Sequence, residues 1–334
     1  MSKVSAKLEE ESKVNIFALT GGILTAIGVA FWIAVGVFDV SFGGKMEVPS
    51  VGILMMENLG KEDEIFWSSG MTADLITKVA GAGLIRVAPL DDILKLDKDL
   101  SIEEKAEKLR VKYILTHSFL IKDDGFDLWC KLENIGNGVA LFSNKISEPM
   151  DMTTQMVGKL ANDIITSLKV KTVQDVMKAP TTNPEAYEFY LKAKYKYEKR
   201  ENKDDTEIAR GLLSKAIELD NNLIVAKLLL GGTYLHMGDY DKAMEIYTPT
   251  LKQAEELGDK RGMGNSINSI GVVYRNKGDY DKALDYYERS LAAAEGSGSR
   301  YGCGGGLNNI EVVYRNKGDY DKALDYYEQI VKAA

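Results

Sequence analysis

The longest run of apolar residues lies near the N-terminus. Residues 16–38 contain no charged side chain, and the run is bounded by Lys13 and Asp39. At about 1.5 Å per residue, a helix of this length spans the hydrocarbon core of a bilayer, which is about 30 Å thick. Because the run is longer than the apolar region of a signal peptide and lacks a small-residue cleavage site, it predicts an uncleaved transmembrane helix.

The charges and small residues around this run predict its orientation and a contact. Lys3, Lys7 and Lys13 precede it, whereas Lys45 alone follows closely, and this bias favours a cytoplasmic N-terminus. Small residues recur at every fourth position, a spacing that lets two helix backbones approach each other. We therefore expect a homodimer face made of Ala18, Gly22, Ala26, Ala30 and Ala34.

The next region, residues 49–170, combines strand and helix periods. Apolar runs of strand length occur at 51–56, 84–87, 113–121, 126–134 and 139–146, and helical spacing occurs at 64–80, 101–109 and 153–168. Ser101 and Glu104 have the spacing of a capping box, while Asp124-Gly125 and Asn137-Gly138 are hairpin-turn signals. The order β-α-β-α-β-β-β-α predicts a two-layer α/β domain.

Several short segments of this region match one domain family in type and order. They are Val51-Gly-Ile-Leu54, Glu57-Asn58-Leu59, Ser69-Gly-Met-Thr-Ala-Asp-Leu-Ile76, Leu84-Ile-Arg-Val87, and Tyr113-Ile-Leu115 with Ser118. The region thus resembles the TolB N-terminal-like (FlgO-like) domain. This resemblance implies a bacterial envelope protein in which the domain follows a membrane helix and precedes tetratricopeptide repeats. Together with the lysine bias, it implies a single-pass protein of the bacterial inner membrane whose bulk is periplasmic.

The C-terminal part of the chain contains an internal repeat. Gly-Asp-Tyr recurs with a period of 40 residues, at 238–240, 278–280 and 318–320. Residues 271–288 and 311–328 agree at 17 of 18 positions and differ only at Gly271 and Glu311. A period of this length is the signature of a solenoid of stacked units.

Each unit resembles the tetratricopeptide repeat in its longer form. The second unit carries the signature at Leu230-Gly231, Tyr234, Gly238, Ala243 and Tyr247. Equivalent residues recur 40 positions later, and also 80 positions later except at Glu311. A more divergent first unit runs from Glu185 to Asp220. We therefore predict an all-α solenoid of about four helix–turn–helix repeats, and the resemblance implies a protein or peptide partner.

The resemblance also assigns a partner-binding groove to the first helix of each unit. Its positions here are Leu228, Gly232, Leu235, His236, Asn268, Val272, Arg275, Asn276, Asn308, Val312, Arg315 and Asn316. An Asn amide can donate to and accept from an extended peptide backbone, and Arg can pair bidentately with a carboxylate. We therefore expect a peptide or chain terminus, with acidic character, in the groove; the alternative is that these are solvated surface residues.

Two features depart from a regular solenoid. Glu311 occupies the position of a small residue, which predicts strained pairing of its helices. The glycine-rich residues 296–306 replace the end of one helix and the start of the next, which predicts a frayed turn between repeats.

Composition excludes several classes of function. A net charge of −8 and a pI near 5.1 argue against nucleic-acid binding, which requires a basic surface. The two cysteines, Cys130 and Cys303, are far apart and in no CxxC motif, and His117 and His236 form no metal-binding or acid–base motif. We predict no metal, no cofactor and no catalytic activity.

The predicted fold class is multi-domain, with an N-terminal transmembrane helix, a two-layer α/β TolB N-terminal-like domain and an all-α tetratricopeptide solenoid. The boundaries are a cytoplasmic tail at 1–14, the transmembrane helix at 15–38, a linker at 39–48, the α/β domain at 49–170, a linker at 171–184 and the solenoid at 185–334. The leading hypothesis for function is a membrane-anchored protein–protein interaction scaffold or adaptor. The alternative is a transmembrane sensory or regulatory module that relays periplasmic ligand binding to a cytoplasmic partner through helix dimerisation.

Overall fold

A computed structural model describes residues 48–122, 125–172, 175–296 and 300–333. Its strands are β1 (Ser50–Ile53), β2 (Glu57–Asn58), β3 (Arg86–Val87), β4 (Tyr113–Lys122), β5 (Gly125–Asn134) and β6 (Val139–Pro149). Its helices are α1 (Ile65–Ala80), α2 (Leu90–Leu94), α3 (Ile102–Leu109), α4 (Thr153–Ser167), α5 (Pro184–Glu198), α6 (Lys203–Leu219), α7 (Ile224–His236), α8 (Tyr240–Glu256), α9 (Lys260–Asn276), α10 (Tyr280–Gly296), α11 (Arg300–Lys317) and α12 (Tyr320–Ala333).

The strands form one mixed sheet in the order β3-β1-β4-β5-β6, with β2 also paired to β4. Strands β1, β2 and β3 run parallel to their neighbours, whereas β4, β5 and β6 form an antiparallel meander. Gly138 has a φ of 68°, in the left-handed region that the predicted Asn137-Gly138 turn requires. The capping box at the start of α3 is also confirmed, because Glu104 N donates to Ser101 Oγ and Ser101 N donates to Glu104 Oε2.

The two faces of the sheet differ in polarity. Leu115 pairs with Leu132 and Phe119 with Leu128, and all four side chains are buried beneath the helical layer. Three of the alternate residues, Thr116, Ser118 and Trp129, point to the other face and are only partly buried. One face of the antiparallel strands therefore carries the core, as expected for a sheet covered by helices on one side.

His117 is a titratable group on the buried face, opposite Cys130. Its Nε2 donates to the backbone oxygen of Leu54 at 2.7 Å, and its Nδ1 is buried without a hydrogen-bond partner among the described residues. Burial lowers the pKa of His117 to about 4, although the bond to Leu54 acts in the opposite direction. The ring is therefore neutral in the folded protein at neutral pH.

The sheet domain and the first repeat share one hydrophobic core. The ring of Trp67 in α1 lies 5.5 Å from Phe126 and 6.1 Å from Tyr187 of α5, between centroids. Tyr187 Oη donates to Asp74 Oδ2 at 2.7 Å, and Lys194 Nζ lies 3.8 Å from the other oxygen of Asp74. Burial, and then the charge of Asp74, raise the pKa of Tyr187 well above its ordinary value, so the phenol remains a donor.

The segment that joins these two parts is itself packed. Lys78 Nζ donates to the backbone oxygens of Val176 at 3.0 Å and Lys178 at 2.6 Å, which ties the predicted linker to α1. Gly70 faces α5 so closely that a Cβ there would lie 2.5 Å from Leu191 Cδ2. The first repeat is therefore anchored to the sheet domain by direct helix packing.

Within the repeats, a glycine on the first helix receives a tyrosine ring from the second. A Cβ on Gly231 would lie 2.4 Å from Tyr247 Cε1, and a Cβ on Gly271 would lie 2.7 Å from Tyr287 Cε1. Tyr247 is 2% exposed and Tyr287 is fully buried. These glycines are therefore required by the close approach of the paired helices.

The fourth unit lacks this notch because Glu311 replaces the glycine. Its corresponding tyrosine, Tyr327, is 57% exposed. The Glu311 carboxylate lies 3.8 Å from Arg315 Nε, one helical turn away. The last helix pair is therefore packed differently from the two before it.

Tyr287 and Tyr247 differ in how their hydroxyl groups are satisfied. The Ser269 hydroxyl hydrogen-bonds to the Tyr247 hydroxyl, whereas Tyr287 Oη is buried and has no partner in the described residues. Asn309 occupies the position that corresponds to Ser269, but its amide donates to Asn268 Oδ1 at 2.7 Å. An unpartnered buried hydroxyl is destabilising because its hydration is lost without replacement.

The predicted frayed turn at residues 296–306 is corrected in part. Helix α11 begins at Arg300, so Gly302, Gly304, Gly305 and Gly306 are helical. Gly306 is buried, and a Cβ there would lie 3.2 Å from Leu291 Cβ. At Gly306, packing against α10 therefore offsets the low helix propensity of glycine.

The predicted fold class and localisation are wrong in their membrane component. No helix in the described ranges is long and apolar enough to cross a bilayer. The longest, α11, has 18 residues and carries Arg300, Glu311, Arg315 and Lys317, whereas a span needs about 20 mainly apolar residues. The fold is corrected to a small sheet domain joined to helical repeats, without the single-pass inner-membrane assignment. The predicted helix at 15–38 and its homodimer face at Ala18, Gly22, Ala26, Ala30 and Ala34 lie outside the described residues.

The buried neutral His117 predicts acid sensitivity. The unfolded chain protonates His117 near pH 6.5 and the folded chain only near pH 4. Its contribution to stability is therefore complete above pH 6.5 and is lost as the pH falls to 4, by roughly 3 kcal/mol. We expect His117→Gln, which retains an N–H donor, to flatten this part of the curve of unfolding free energy against pH in urea titrations. The exposed His236→Gln is the matched control, and equal slopes for wild type and His117→Gln would contradict the assignment.

The unpartnered hydroxyl of Tyr287 predicts a stabilising substitution. Tyr287→Phe removes the orphan polar group and retains the ring, so we expect unfolding free energy to rise by about 1 kcal/mol. Tyr247→Phe, 40 residues earlier, removes a bonded hydroxyl and should lower it slightly. Thermal melts of both variants measure the difference, and a loss of stability in Tyr287→Phe would show that its hydroxyl is satisfied.

Candidate functional site

The first helices of the second, third and fourth units, α7, α9 and α11, carry all twelve predicted groove residues. On α9 these are Asn268, Val272, Arg275 and Asn276, whose spacing places them on one side of the helix. None of the twelve is buried, and His236, Asn276, Asn308, Arg315 and Asn316 are exposed. We call this row of twelve residues the repeat groove.

One hydrogen bond between side-chain amides links the third and fourth units at the repeat groove. Asn309 Nδ2 of α11 donates to Asn268 Oδ1 of α9 at 2.7 Å. Arg275 Nε and Nη2 both lie 3.5 Å from Asn276 Oδ1 on the same helix. Asn309 was not among the predicted residues, since its contact joins two units and depends on how α9 and α11 pack.

The valine and arginine positions differ in their surroundings. Val272 packs against the hydrophobic cluster of Tyr287, Ile310 and Val313, so it also has a structural role. The side chain of Arg315 is 58% exposed, and its only described ion pair is the 3.8 Å contact with Glu311. A contact this long and exposed contributes little, so the guanidinium is accessible to a further carboxylate.

A concave pocket of about 400 Å³ lies at one end of the repeat groove. It is lined by Tyr197, Gly232, Leu235, His236, Gly238, Tyr240 and Asn276. Four of these, Gly232, Leu235, His236 and Asn276, are predicted groove residues from two different units. We call this cavity the Gly232 pocket.

Arg200, which sequence reasoning missed, contacts two of the residues that line the Gly232 pocket, Tyr197 and His236. The guanidinium carbon of Arg200 lies 4.1 Å from the ring centroid of Tyr197, and Nη1 donates to the Tyr197 backbone oxygen at 2.5 Å. Nη2 lies 3.0 Å from His236 Nε2. Because a guanidinium only donates, Nε2 accepts this bond, which places the ring hydrogen of His236 on Nδ1.

Tyr197 completes this side of the pocket. Its hydroxyl donates to the backbone oxygen of Gly232 at 3.4 Å, and its ring meets that of His236 edge to face at 6.3 Å. Burial raises the pKa of Tyr197, although Arg200 and Arg210 act in the opposite direction. The first unit thus contributes Tyr197 and Arg200 to a site that the sequence placed only in later units.

The helix spacing that placed Asn268 in the groove also brings Arg261 to this side of α9, seven residues earlier. The charge of Arg261 also acts on Tyr190 of the first unit. Burial raises the pKa of Tyr190 to about 12, and the positive charges of Lys194 and Arg261 act in the opposite direction. Arg261 was omitted from the predicted set. Its position could have been found by extending the helical period by two turns.

Cys130 and the possible metal-binding side chains of the described ranges are the candidates for a reactive centre. Burial raises the pKa of the Cys130 thiol to about 11, which keeps it protonated and unreactive. No group of three His, Cys, Asp or Glu side chains within those ranges could hold a metal ion.

Comparison with known proteins identifies the repeats. Two family models described as tetratricopeptide repeat match residues 222–296 and 307–334. These residues therefore form tetratricopeptide repeats, as predicted. Repeats of this family imply a protein–protein interaction scaffold and are generally non-catalytic. No curated protein matches the chain.

Several solved structures are similar in part. The tetratricopeptide domain of Arabidopsis FLU is 24% identical, with 33% of this chain and 92% of that chain covered and a TM-score of 0.31. TolB from Acinetobacter baumannii is 13% identical, with 36% and 28% covered and a TM-score of 0.29. A Rap protein complexed with competence and sporulation factor is 15% identical, with 55% and 60% covered and a TM-score of 0.38. All three TM-scores are below 0.5, so these similarities establish no shared function.

Proposed function

We propose that this protein is an interaction scaffold whose repeat groove holds an extended, acidic segment of a partner polypeptide. The observation that carries the proposal is the recurrence of an Asn, an Arg and a second Asn at the same positions of two units. These are Asn268, Arg275 and Asn276 on α9 and Asn308, Arg315 and Asn316 on α11, and none of the six is buried.

The chemistry of this row suits a peptide backbone with carboxylates. Each Asn amide offers both a donor and an acceptor, as a backbone in extended conformation requires. The guanidinium groups of Arg275 and Arg315 can each take a carboxylate in a bidentate pair. Arg200 and Arg261 add positive charge on the same side, although the chain as a whole carries a net charge of −8. A local cationic surface of this kind attracts acidic segments and excludes basic ones.

Charge reversal in the repeat groove tests the proposal directly. We expect the full chain to bind fluorescein-labelled hexaglutamate more tightly than labelled hexaglutamine, as measured by fluorescence anisotropy. Arg275→Glu with Arg315→Glu should weaken hexaglutamate binding at least tenfold, about 1.4 kcal/mol, because two charge-assisted contacts become repulsive.

The matched control reverses two cations on second helices, Lys252→Glu with Arg289→Glu, whose side chains are 78% and 48% exposed. It changes net charge by the same amount but lies outside the repeat groove. Equal losses in the two double variants would mean that hexaglutamate follows net charge alone, and no binding by the wild type would reject an acidic ligand.

Natural partners are identified by photo-crosslinking from a photoreactive residue at position 268. We expect a discrete polypeptide adduct that disappears when Arg275 and Arg315 are changed to Glu. The same residue placed at the exposed Glu288 of α10 is the control. Equal adducts from both positions would place the contact surface elsewhere on the repeats.

A further inference from the structure

We propose that the Gly232 pocket is a specificity pocket that receives one acidic side chain of the peptide, and that glycine at position 232 keeps it open. This inference rests on the proposed function and deepens it, since it assigns one subsite of the repeat groove to a defined side-chain class.

The two adjacent glycines of α7 have different surroundings. Gly231 is required by packing, because a Cβ there would lie 2.4 Å from Tyr247 Cε1. A Cβ on Gly232 would meet only Tyr247 Oη, at 3.7 Å, which is an ordinary van der Waals contact. Packing therefore does not require glycine at position 232, although a glycine inside a helix is destabilising relative to alanine.

The internal repeat shows which residue occupies the equivalent of position 232 in the third and fourth units. The residues 40 and 80 positions later are Val272 and Val312, on α9 and α11. A valine is thus compatible with the repeat at this point. In the second unit its absence leaves the wall of the Gly232 pocket without a side chain.

The polar groups around the pocket favour an anion. Asn276 offers amide donors, and His236 has its proton on Nδ1 because Nε2 accepts from Arg200. Arg200 is not itself a lining residue, but its positive charge is held next to two lining residues by its bonds to Tyr197 and His236. No Asp or Glu is among the residues that line the cavity.

Two acidic groups at the start of α8, the N-cap Asp239 and Asp241, are each paired with a lysine. Asp239 lies 3.2 Å from Lys242 and Asp241 lies 2.7 Å from Lys277, each between the ammonium nitrogen and a carboxylate oxygen. The pocket thus combines donors, a cation and enough volume for a side chain. A glutamate or aspartate of the peptide would satisfy these donors, whereas a basic side chain would be disfavoured by the positive charge of Arg200 behind Tyr197 and His236.

The experiment compares two labelled peptides that differ in one side chain, hexaglutamine and hexaglutamine with a single central Glu. We expect wild type to bind the Glu-containing peptide at least fivefold more tightly in fluorescence anisotropy. Gly232→Val, which installs the residue of the neighbouring units, should abolish this preference without lowering the melting temperature. Gly232→Ala should retain most of the preference, because its Cβ occupies little of the cavity.

Arg200→Gln supplies a second variant that leaves α7 unchanged, and it should also reduce the preference for Glu. Retention of the preference in both Gly232→Val and Arg200→Gln would overturn the pocket assignment. If hexaglutamate binding still depended on Arg275 and Arg315 in those variants, the repeat groove would still be the binding site for acidic peptides, but without this subsite. If wild type bound no acidic peptide, both the pocket assignment and the proposed acidic ligand would fail.

Discussion

The packing of Tyr187 between Trp67 and Asp74 is the contact on which the arrangement of the repeats depends. The rings of Trp67 and Tyr187 join α1 to α5, and the bond from Tyr187 Oη to Asp74 at 2.7 Å fixes their alignment. A repeat at the start of a solenoid otherwise exposes one apolar side, because each unit is covered only by its neighbours. Here the sheet domain covers that side, so the first unit can present Tyr197 and Arg200 in fixed positions.

The features predicted correctly from the sequence are those encoded by residues close together in the chain. The capping box needs only Ser101 and Glu104, and the β5–β6 turn needs only Asn137 and Gly138. The repeats could also be predicted, because a 40-residue period is visible in the sequence without any knowledge of which helices are in contact. In each case local chemistry and the final fold favour the same conformation.

The features that were missed depend on contacts between distant segments. An apolar pattern shows that Trp67 and Tyr187 are buried, but it does not show that they meet across 120 residues. Glycines at 302 and 304–306 predicted a frayed turn, yet they are helical, and Gly306 packs closely on Leu291 of α10. The apolar run at 16–38 led to a membrane assignment for the whole protein that the described helices, with their charged faces, do not support. The groove positions themselves remain a prediction, and Arg200 and Asn309 could be added only once neighbouring units had been brought together.

The serial arrangement of the hydrophobic clusters has a consequence for local unfolding. The large cluster of the sheet domain extends through the first unit into α7, whereas the later units are held by small clusters around Tyr247 and Tyr287. Amide hydrogen exchange should therefore be slowest in α1 and α5 and become faster toward α12, where Tyr320, Leu324 and Tyr327 are exposed. A polypeptide that bridges α7 and α11 would contact a well-protected helix at one end and the less stable last unit at the other. Part of the binding free energy would therefore offset the entropy lost when the last unit becomes ordered.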